Sequence, residues 1–179
     1  MADKREFIPL HFAILTVSDT RTLADDKSGQ TLKDRIISEG HNVSDRQIVK
    51  DDVAKIRRVV KVWGKREDVD VIISTGGTGL TGRDVTIEAL RPLFEKEIEG
   101  FSTLFHMVSF PKIGTSTVQS RATAGVMKGK YIFCLPGSPG ACKDAWDEIL
   151  KYQLDYRHNP CNFVEIMPRL EEHQKRKKG

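Results

Sequence analysis

Residues 74–86, STGGTGLTGRDVT, combine glycines, threonines and a carboxylate in a way that suits an anionic ligand. Glycines let successive backbone N–H groups approach an anion closely, and the hydroxyl groups of Thr75 and Thr78 add hydrogen-bond donors. Asp84, near the end of the stretch, offers the carboxylate oxygens that a divalent metal ion prefers when it also binds phosphate. These residue types indicate a phosphate site that uses a metal ion.

The glycine spacing matches two known phosphate motifs, and neither applies. Gly77, Gly79 and Gly82 spell G-x-G-x-x-G, and the first and last of them also have the outer spacing of a P-loop. A P-loop continues with Lys and then Ser or Thr, whereas this chain continues with Arg83 and Asp84. A dinucleotide site needs a strand that ends in an acidic residue ~20 positions later. That region reads EKEIEGFS, which is not a strand pattern.

Asp51, at the start of another predicted helix, is a candidate second carboxylate. Aspartate is common at helix starts, where its side chain caps free backbone N–H groups. Metal binding and helix capping therefore remain alternatives for both Asp51 and Asp84 when each is considered alone. Their combination with a glycine loop at the end of a strand makes the metal site a serious hypothesis.

Two further segments offer donors for phosphate. Ser138 in PGSPG begins a predicted helix, and a helix N-terminus binds anions, although simple capping would also explain this serine. Ser120 and Arg121 provide a hydroxyl group and a guanidinium fork, unless the arginine merely lies on the surface. No histidine stands beside a candidate nucleophile, and Cys134 lies within an apolar strand, so we do not expect covalent catalysis.

Apolar runs predict buried strands at residues 11–17, 69–75 and 131–135, with a weaker strand at 42–49. Helical periodicity covers residues 30–39, 53–63, 86–97 and 101–109, and another helix follows Ser138, whereas residues 111–125 resemble a loop. Such alternation predicts a three-layer α/β fold, Rossmann-like, with a mostly parallel sheet between helices. Ligands of these folds bind at the carboxyl ends of strands. The three strong strands run into Ser18-Asp19, TGGTG and PGSPG, so we expect one site there.

The composition is that of one globular domain. The chain has 179 residues, of which 39% are hydrophobic and 30% charged, and we assign residues 1–168 to a single domain. Much of the net charge of +4 lies in HQKRKKG, so residues 169–179 are predicted to be a basic, disordered tail. We expect no nucleic-acid partner, because the rest of the chain is nearly neutral. Without an apolar run of ~20 residues, and with three cysteines at no metal-ligand spacing, a cytoplasmic protein with no membrane partner is expected.

Five segments together resemble the MoaB/Mog family of molybdenum cofactor biosynthesis, and most closely its MoaB branch. They are LTVSDTR with DKSG, STGGTGLTGRDVTIEA, EIEGF, IGTSTVQSRATAG and IFCLPGSPGA, and the resemblance covers about residues 11–154. It implies a molybdopterin adenylyltransferase that uses Mg2+ and ATP, releases pyrophosphate and assembles as a homotrimer or homohexamer. A molybdopterin carrier without turnover and a nucleotide-hydrolysing relative are the alternatives.

The resemblance also implies roles for individual residues. Asp51 and Asp84 correspond to the two carboxylates used for catalysis and for Mg2+, and their presence favours an enzyme over a carrier. The expected molybdopterin-binding residues are Thr75, Gly76, Gly77, Thr78, Gly79, Ser120 and Arg121. The expected nucleotide-binding residues are Ser18, Asp19, Pro136, Gly137 and Ser138.

Overall fold

A single six-stranded sheet forms the centre of the computed structural model, which describes residues 5–176. The strands are β1 (His11–Val17), β2 (Asn42–Val49), β3 (Val71–Thr75), β4 (Lys96–Glu97), β5 (Thr123–Met127) and β6 (Lys130–Leu135). They lie in the order β2-β1-β3-β6-β5-β4. The pairs β1·β2, β1·β3 and β3·β6 are parallel, and only the pairs that involve β5 are antiparallel. The predicted mostly parallel sheet is confirmed.

Helices cover both faces of this sheet. They are α1 (Lys27–Ser38), α2 (Val53–Trp63), α3 (Thr86–Leu90), α4 (Glu99–Ile113), α5 (Pro139–Ala145), α6 (Lys151–Gln153), α7 (Phe163–Ile166) and α8 (Glu172–Arg176). Successive side chains of a strand point to opposite faces, so Ile14 packs in one core with Leu32 of α1, and Leu15 packs in a second core with Ile56 of α2. Two cores on either side of one sheet confirm the three-layer α/β fold.

The prediction for residues 86–125 was wrong in two places. The helix that begins at Thr86 ends at Leu90, and a 3-10 turn at Arg91–Leu93 follows. Pro92 has no N–H, and its ring would clash with a carbonyl of the preceding helical turn. Lys96–Glu97 then forms β4, which pairs with β5 in part of the chain that was predicted as a loop. The residues of β5 are buried between β6 and β4, and Ala124 and Val126 pack in the same core as Phe101 and Phe105.

The folded chain continues beyond the predicted domain end at residue 168. Leu170 is partly buried and packs against the core that contains Ile14 and Leu32. Helix α8 follows, within the segment that was predicted to be a basic tail. Lys177 and Lys178 of the basic run lie outside the described residues, and disorder there stays a prediction. In the part of the chain that the structure describes, no helix combines the length and apolarity that crossing a membrane requires.

Candidate functional site

The loops that follow β1, β3 and β6 meet at one edge of the sheet, together with the start of α2. They enclose a cavity of about 310 Å3. Its lining residues are Val17, Ser18, Asp19, Thr20, Arg21, Asp51, Gly76, Gly77, Arg83, Asp84 and Gly137. The cavity thus brings together predicted site residues from all three loops and from the start of α2.

Gly76 and Gly77 allow the loop after β3 to lie against its neighbours. Both have positive φ angles, +92° and +62°, which side-chain-bearing residues rarely adopt. A Cβ atom on Gly76 would lie 2.3 Å from the carbonyl oxygen of Val17. A Cβ atom on Gly77 would lie 2.7 Å from Oδ1 of Asp51. Only glycines at these positions let the loop approach β1 and the Asp51 carboxylate so closely.

Asp51 belongs to the cavity, and its neighbour Asp52 caps α2. The Asp52 side chain accepts a hydrogen bond from the backbone N–H of Lys55 at 2.8 Å. The carboxylate of Asp51 is therefore not used as a helix cap. Burial raises the pKa of Asp51, and the negative charges of Asp19 and Asp84 raise it further. The nearby guanidinium of Arg83 lowers the pKa of Asp51 and offsets these effects only in part.

Asp84 closes a turn within the glycine loop and does not cap a helix. Its Oδ2 accepts hydrogen bonds from the backbone N–H of Thr81 at 3.1 Å and from the Thr81 hydroxyl at 2.5 Å. Thr86 is the first residue of α3, and its hydroxyl donates to the carbonyl of Gly76 at 2.8 Å. A Cβ atom on Gly79 would lie 2.8 Å from Oδ2 of Asp84. The glycine loop thus runs between two carboxylates, Asp51 at Gly77 and Asp84 at Gly79.

Two arginines that the sequence analysis did not identify also line the cavity. Arg83 forms an ion pair with Asp19, and this guanidinium holds the pKa of the Asp19 carboxyl below its usual range. Arg21 donates from Nη1 to the Ser28 hydroxyl at 3.1 Å and to the carbonyl of Gly137 at 3.3 Å, so it ties the loop after β1 to the loop after β6. Both arginines lie close in sequence to predicted site residues. Whether an arginine side chain faces the cavity depends on the conformation of its loop, which the sequence pattern does not give.

Asp26 anchors the loop after β1 from beneath. Its fully buried carboxylate accepts hydrogen bonds from the Thr16 hydroxyl at 2.7 Å, from Gly29 N–H at 2.9 Å and from Arg46 Nη2 at 3.0 Å. Burial alone would raise the pKa of Asp26, but these hydrogen bonds lower it. The side chain caps α1, which begins at Lys27, three residues earlier than predicted.

Several predicted residues lie outside the cavity lining. They are Thr75, Thr78, Gly79, Ser120, Arg121, Pro136 and Ser138. The Thr75 hydroxyl donates to the carbonyl of Pro136 at 2.9 Å and joins β3 to the loop after β6. Ser138 caps α5 by accepting a hydrogen bond from Ala141 N–H at 3.1 Å, which is the capping alternative named above. These contacts support the loops that surround the cavity.

Arg121 contacts the glycine loop without facing the cavity. Its Nη1 donates to the carbonyl of Gly79 at 3.1 Å, and its Nη2 pairs with Glu88 of α3. Ser120 lies beside it at the end of a 3-10 turn, and its carbonyl is 3.2 Å from Nε2 of His106. The structure therefore places Ser120 and Arg121 next to the loop at Gly79, apart from Asp51.

The carboxylates of the cavity fit a magnesium ion that binds together with phosphate. Among residues 5–176, no three His, Cys, Asp or Glu side chains form a metal-binding group on their own. Mg2+ is usually held by one or two carboxylates, with water and substrate phosphates as the other ligands. Asp51 and Asp84 line one cavity and supply such carboxylates.

Comparisons with known proteins agree on one family. Residues 13–156 match the model of a family described as "Probable molybdopterin binding domain". The chain is 52% identical over 158 residues to Molybdenum cofactor biosynthesis protein B of Escherichia coli K12, covering 88% of this chain and 93% of that protein. It is 48% identical over 147 residues to the protein of that name from Staphylococcus aureus Mu50, covering 80% and 87% respectively.

Solved structures show the same similarity. A crystal structure of a Molybdenum cofactor biosynthesis protein B superposes with a TM-score of 0.84 at 40% identity, covering 94% of this chain and 99% of that one. The tungsten cofactor synthesizing protein MoaB of Pyrococcus furiosus superposes with a TM-score of 0.71 at 35% identity, covering 79% and 91%. These likenesses extend over nearly the whole fold described above.

Proposed function

The chain belongs to the MoaB/Mog family of molybdenum cofactor biosynthesis, and we propose that it adenylylates molybdopterin with Mg-ATP. In this reaction, a terminal phosphate oxygen of molybdopterin forms a bond to the α-phosphorus of ATP. The bond from that phosphorus to the oxygen bridging to the β-phosphate breaks, and pyrophosphate leaves with the electron pair. The products are adenylylated molybdopterin and pyrophosphate.

The observation that carries this proposal is the position of the glycine loop between two carboxylates. Asp51 lies against Gly77, and Asp84 lies against Gly79. Phosphoryl-type transfer depends on positioning and on charge stabilisation more than on a protein nucleophile. A loop of small residues lets two phosphate groups approach each other, and the flanking carboxylates would hold the magnesium ion. Bound Mg2+ would supply charge stabilisation for the phosphate oxygens.

The remaining cavity residues suit the nucleotide. The Ser18 hydroxyl accepts hydrogen bonds from the backbone N–H groups of Thr20 at 3.3 Å and Arg21 at 3.2 Å, which shapes the loop after β1. Arg21 uses Nη1 for its bonds to Ser28 and Gly137, so the rest of its fork can donate to phosphate. The chain would thus hold the phosphates between a fixed guanidinium and the glycine loop.

An apolar strip on α4 supports self-association, and we include a homotrimer or homohexamer in the proposal. Exposed apolar side chains recur on α4 and in the turn after it, at Leu104, Met107, Phe110, Ile113 and Val118. The α4 members are spaced three apart, so each lies beside the next, and together they wind around about half of the helix surface. Such a continuous exposed strip is typical of a protein–protein interface.

The proposal also places the reaction in the cytoplasm, where the free thiols of Cys134, Cys142 and Cys161 would persist.

The test is to incubate the protein with molybdopterin, ATP and Mg2+ and to measure adenylylated molybdopterin and pyrophosphate. We expect both products in equal amounts, and we expect Asp84→Asn to abolish them. Asp34→Asn is the control, since Asp34 is an exposed carboxylate of α1 whose only hydrogen-bond partner among the described side chains is Gln30. Molybdopterin binding without pyrophosphate release would contradict the proposal in favour of a carrier. ATP hydrolysis that needs no molybdopterin would instead indicate a nucleotide-hydrolysing protein.

A further inference from the structure

Arg83 spans the cavity between two of its loops. It lies on the glycine loop beside Asp84, and its Nη2 pairs with Asp19 on the loop after β1. Its side chain is 73% exposed. Within residues 5–176, Asp19 is the only hydrogen-bond partner of this guanidinium. By contrast, Arg21 is held by Ser28 and Gly137. The guanidinium of Arg21 is thus held by two hydrogen bonds, and that of Arg83 by one exposed ion pair.

Asp19, the partner of Arg83, and Asp84 both lie near the Asp51 carboxylate, and the negative charges of both raise the pKa of Asp51. Asp51 N–H donates to Oδ1 of Asp19 at 3.2 Å, and Asp51 and Asp84 line the same cavity. The guanidinium of Arg83 is attracted by all three of these side chains. Arg83 thus offsets negative charge at the site when no ligand is bound. An exposed ion pair of this kind contributes little to stability, so exchanging one partner for another costs little.

We propose that Arg83 binds the phosphate chain of the nucleotide, and that its ion pair with Asp19 in the free protein is a reserve position, which Arg83 leaves when the nucleotide binds. A triphosphate carries more negative charge than a carboxylate and accepts two parallel hydrogen bonds from a guanidinium. The exposed side chain of Arg83 can leave Asp19 without disturbing buried structure. The inference rests on the proposed function in naming the ligand, and it adds a residue and a rearrangement to that function.

The probe is the magnesium complex of α,β-methylene ATP, which cannot be cleaved at the α-phosphate, with binding measured by titration calorimetry. We expect Arg83→Ala to weaken binding at least tenfold and Arg83→Lys to weaken it less. Arg91→Ala is the matched control, because Arg91 is also an exposed arginine in an ion pair, with Glu97. Its affinity should equal that of the unmodified protein. Unchanged affinity in Arg83→Ala would overturn the proposal.

Asp19→Asn tests the reserve position separately. If Asp19 competes with the nucleotide for Arg83, removing its charge should tighten binding severalfold. This gain should disappear when Arg83→Ala is added. Weaker or unchanged binding in Asp19→Asn would overturn the reserve position. A merely structural role for the ion pair would not tighten binding.

These binding measurements also separate the inference from the proposed function. If the analogue binds through Arg83 but molybdopterin yields no pyrophosphate, the adenylylation fails and the role of Arg83 stands. If adenylylation proceeds and Arg83→Ala binds the analogue normally, the inference fails and the function stands.

Discussion

The carboxylate of Asp51 lies against Gly77, at a distance where a methyl group on the glycine would be 2.7 Å from Oδ1. This contact joins the start of α2 to the loop after β3. It leaves no room for a side chain on the loop, and the φ of Gly77, +62°, disfavours one independently. The identity of residue 77 therefore determines where Asp51 can lie.

Gly77→Ala should lower both stability and activity. The new Cβ would lie 2.4 Å from Oγ1 of Thr86 and 2.7 Å from Oδ1 of Asp51, and it would force a strained φ. We expect a loss of about 1–3 kcal/mol in the free energy of unfolding, measured with urea, and a lower rate of pyrophosphate release. Gly82→Ala is the control, because a Cβ there meets nothing within 4 Å. Equal behaviour of the two variants would contradict this account.

Asp51→Asn should abolish adenylylation without lowering the stability of the protein. The pKa of Asp51 is raised in the folded state by burial and by Asp19 and Asp84. The folded state therefore binds more protons than the unfolded state just above the ordinary pKa, so this group's contribution to stability falls as the pH rises through that range. Removing the charge should leave the melting temperature at pH 7 equal or higher, while pyrophosphate release is lost. A clear drop in melting temperature would show that the charged carboxylate stabilises the fold.

Much of the site's location could be predicted from the sequence, because buried parallel strands are apolar runs whose carboxyl ends share one edge of the sheet. The direction of individual side chains could not be predicted. Thr75 ends β3, yet its hydroxyl points to the carbonyl of Pro136 because the loop after β6 packs there. Likewise, β5 could not be predicted from its own sequence, which lacks a clear strand pattern. It forms a strand because its backbone pairs with β6 and β4.

His41 should make the protein sensitive to acid. Burial among aromatic rings lowers its pKa from 6.5 to about 4, and its Nδ1 accepts a hydrogen bond from Leu10 N–H at 3.1 Å. The unfolded state binds the proton first, so stability is present above pH 6.5 and falls as the pH drops toward 4. Urea unfolding between pH 4.5 and 7.5 should show this slope, and His41→Gln should flatten it. The exposed His173→Gln is the control and should keep the slope.

The proposed oligomer should dissociate when Phe110→Asp is introduced. Phe110 is 57% exposed near the centre of the α4 strip, where a second copy would bury it. A charge there would be desolvated at the interface. Light scattering coupled to size exclusion should show a smaller particle. Val62→Asp is the control, because Val62 is similarly exposed, at 55%, but lies on α2. A particle of unchanged mass in Phe110→Asp would exclude the α4 strip as the interface.

Asp26→Asn should destabilise the loop after β1 and weaken nucleotide binding through it. The buried carboxylate accepts hydrogen bonds from Thr16, Gly29 and Arg46, and the Arg46 side chain is itself only 12% exposed. An amide cannot balance the buried guanidinium, so we expect a loss of about 3 kcal/mol in urea unfolding. Asp25→Asn is the adjacent control, because Asp25 is exposed and accepts a hydrogen bond from Thr22 N–H within a turn. Its change in stability should stay below about 1 kcal/mol. Because hydrogen bonds lower the pKa of Asp26, its stabilisation is present above pH 3.8 and is lost as the pH falls through the lower, folded-state value. A loss in Asp26→Asn no larger than that of Asp25→Asn would show that the loop does not depend on this carboxylate.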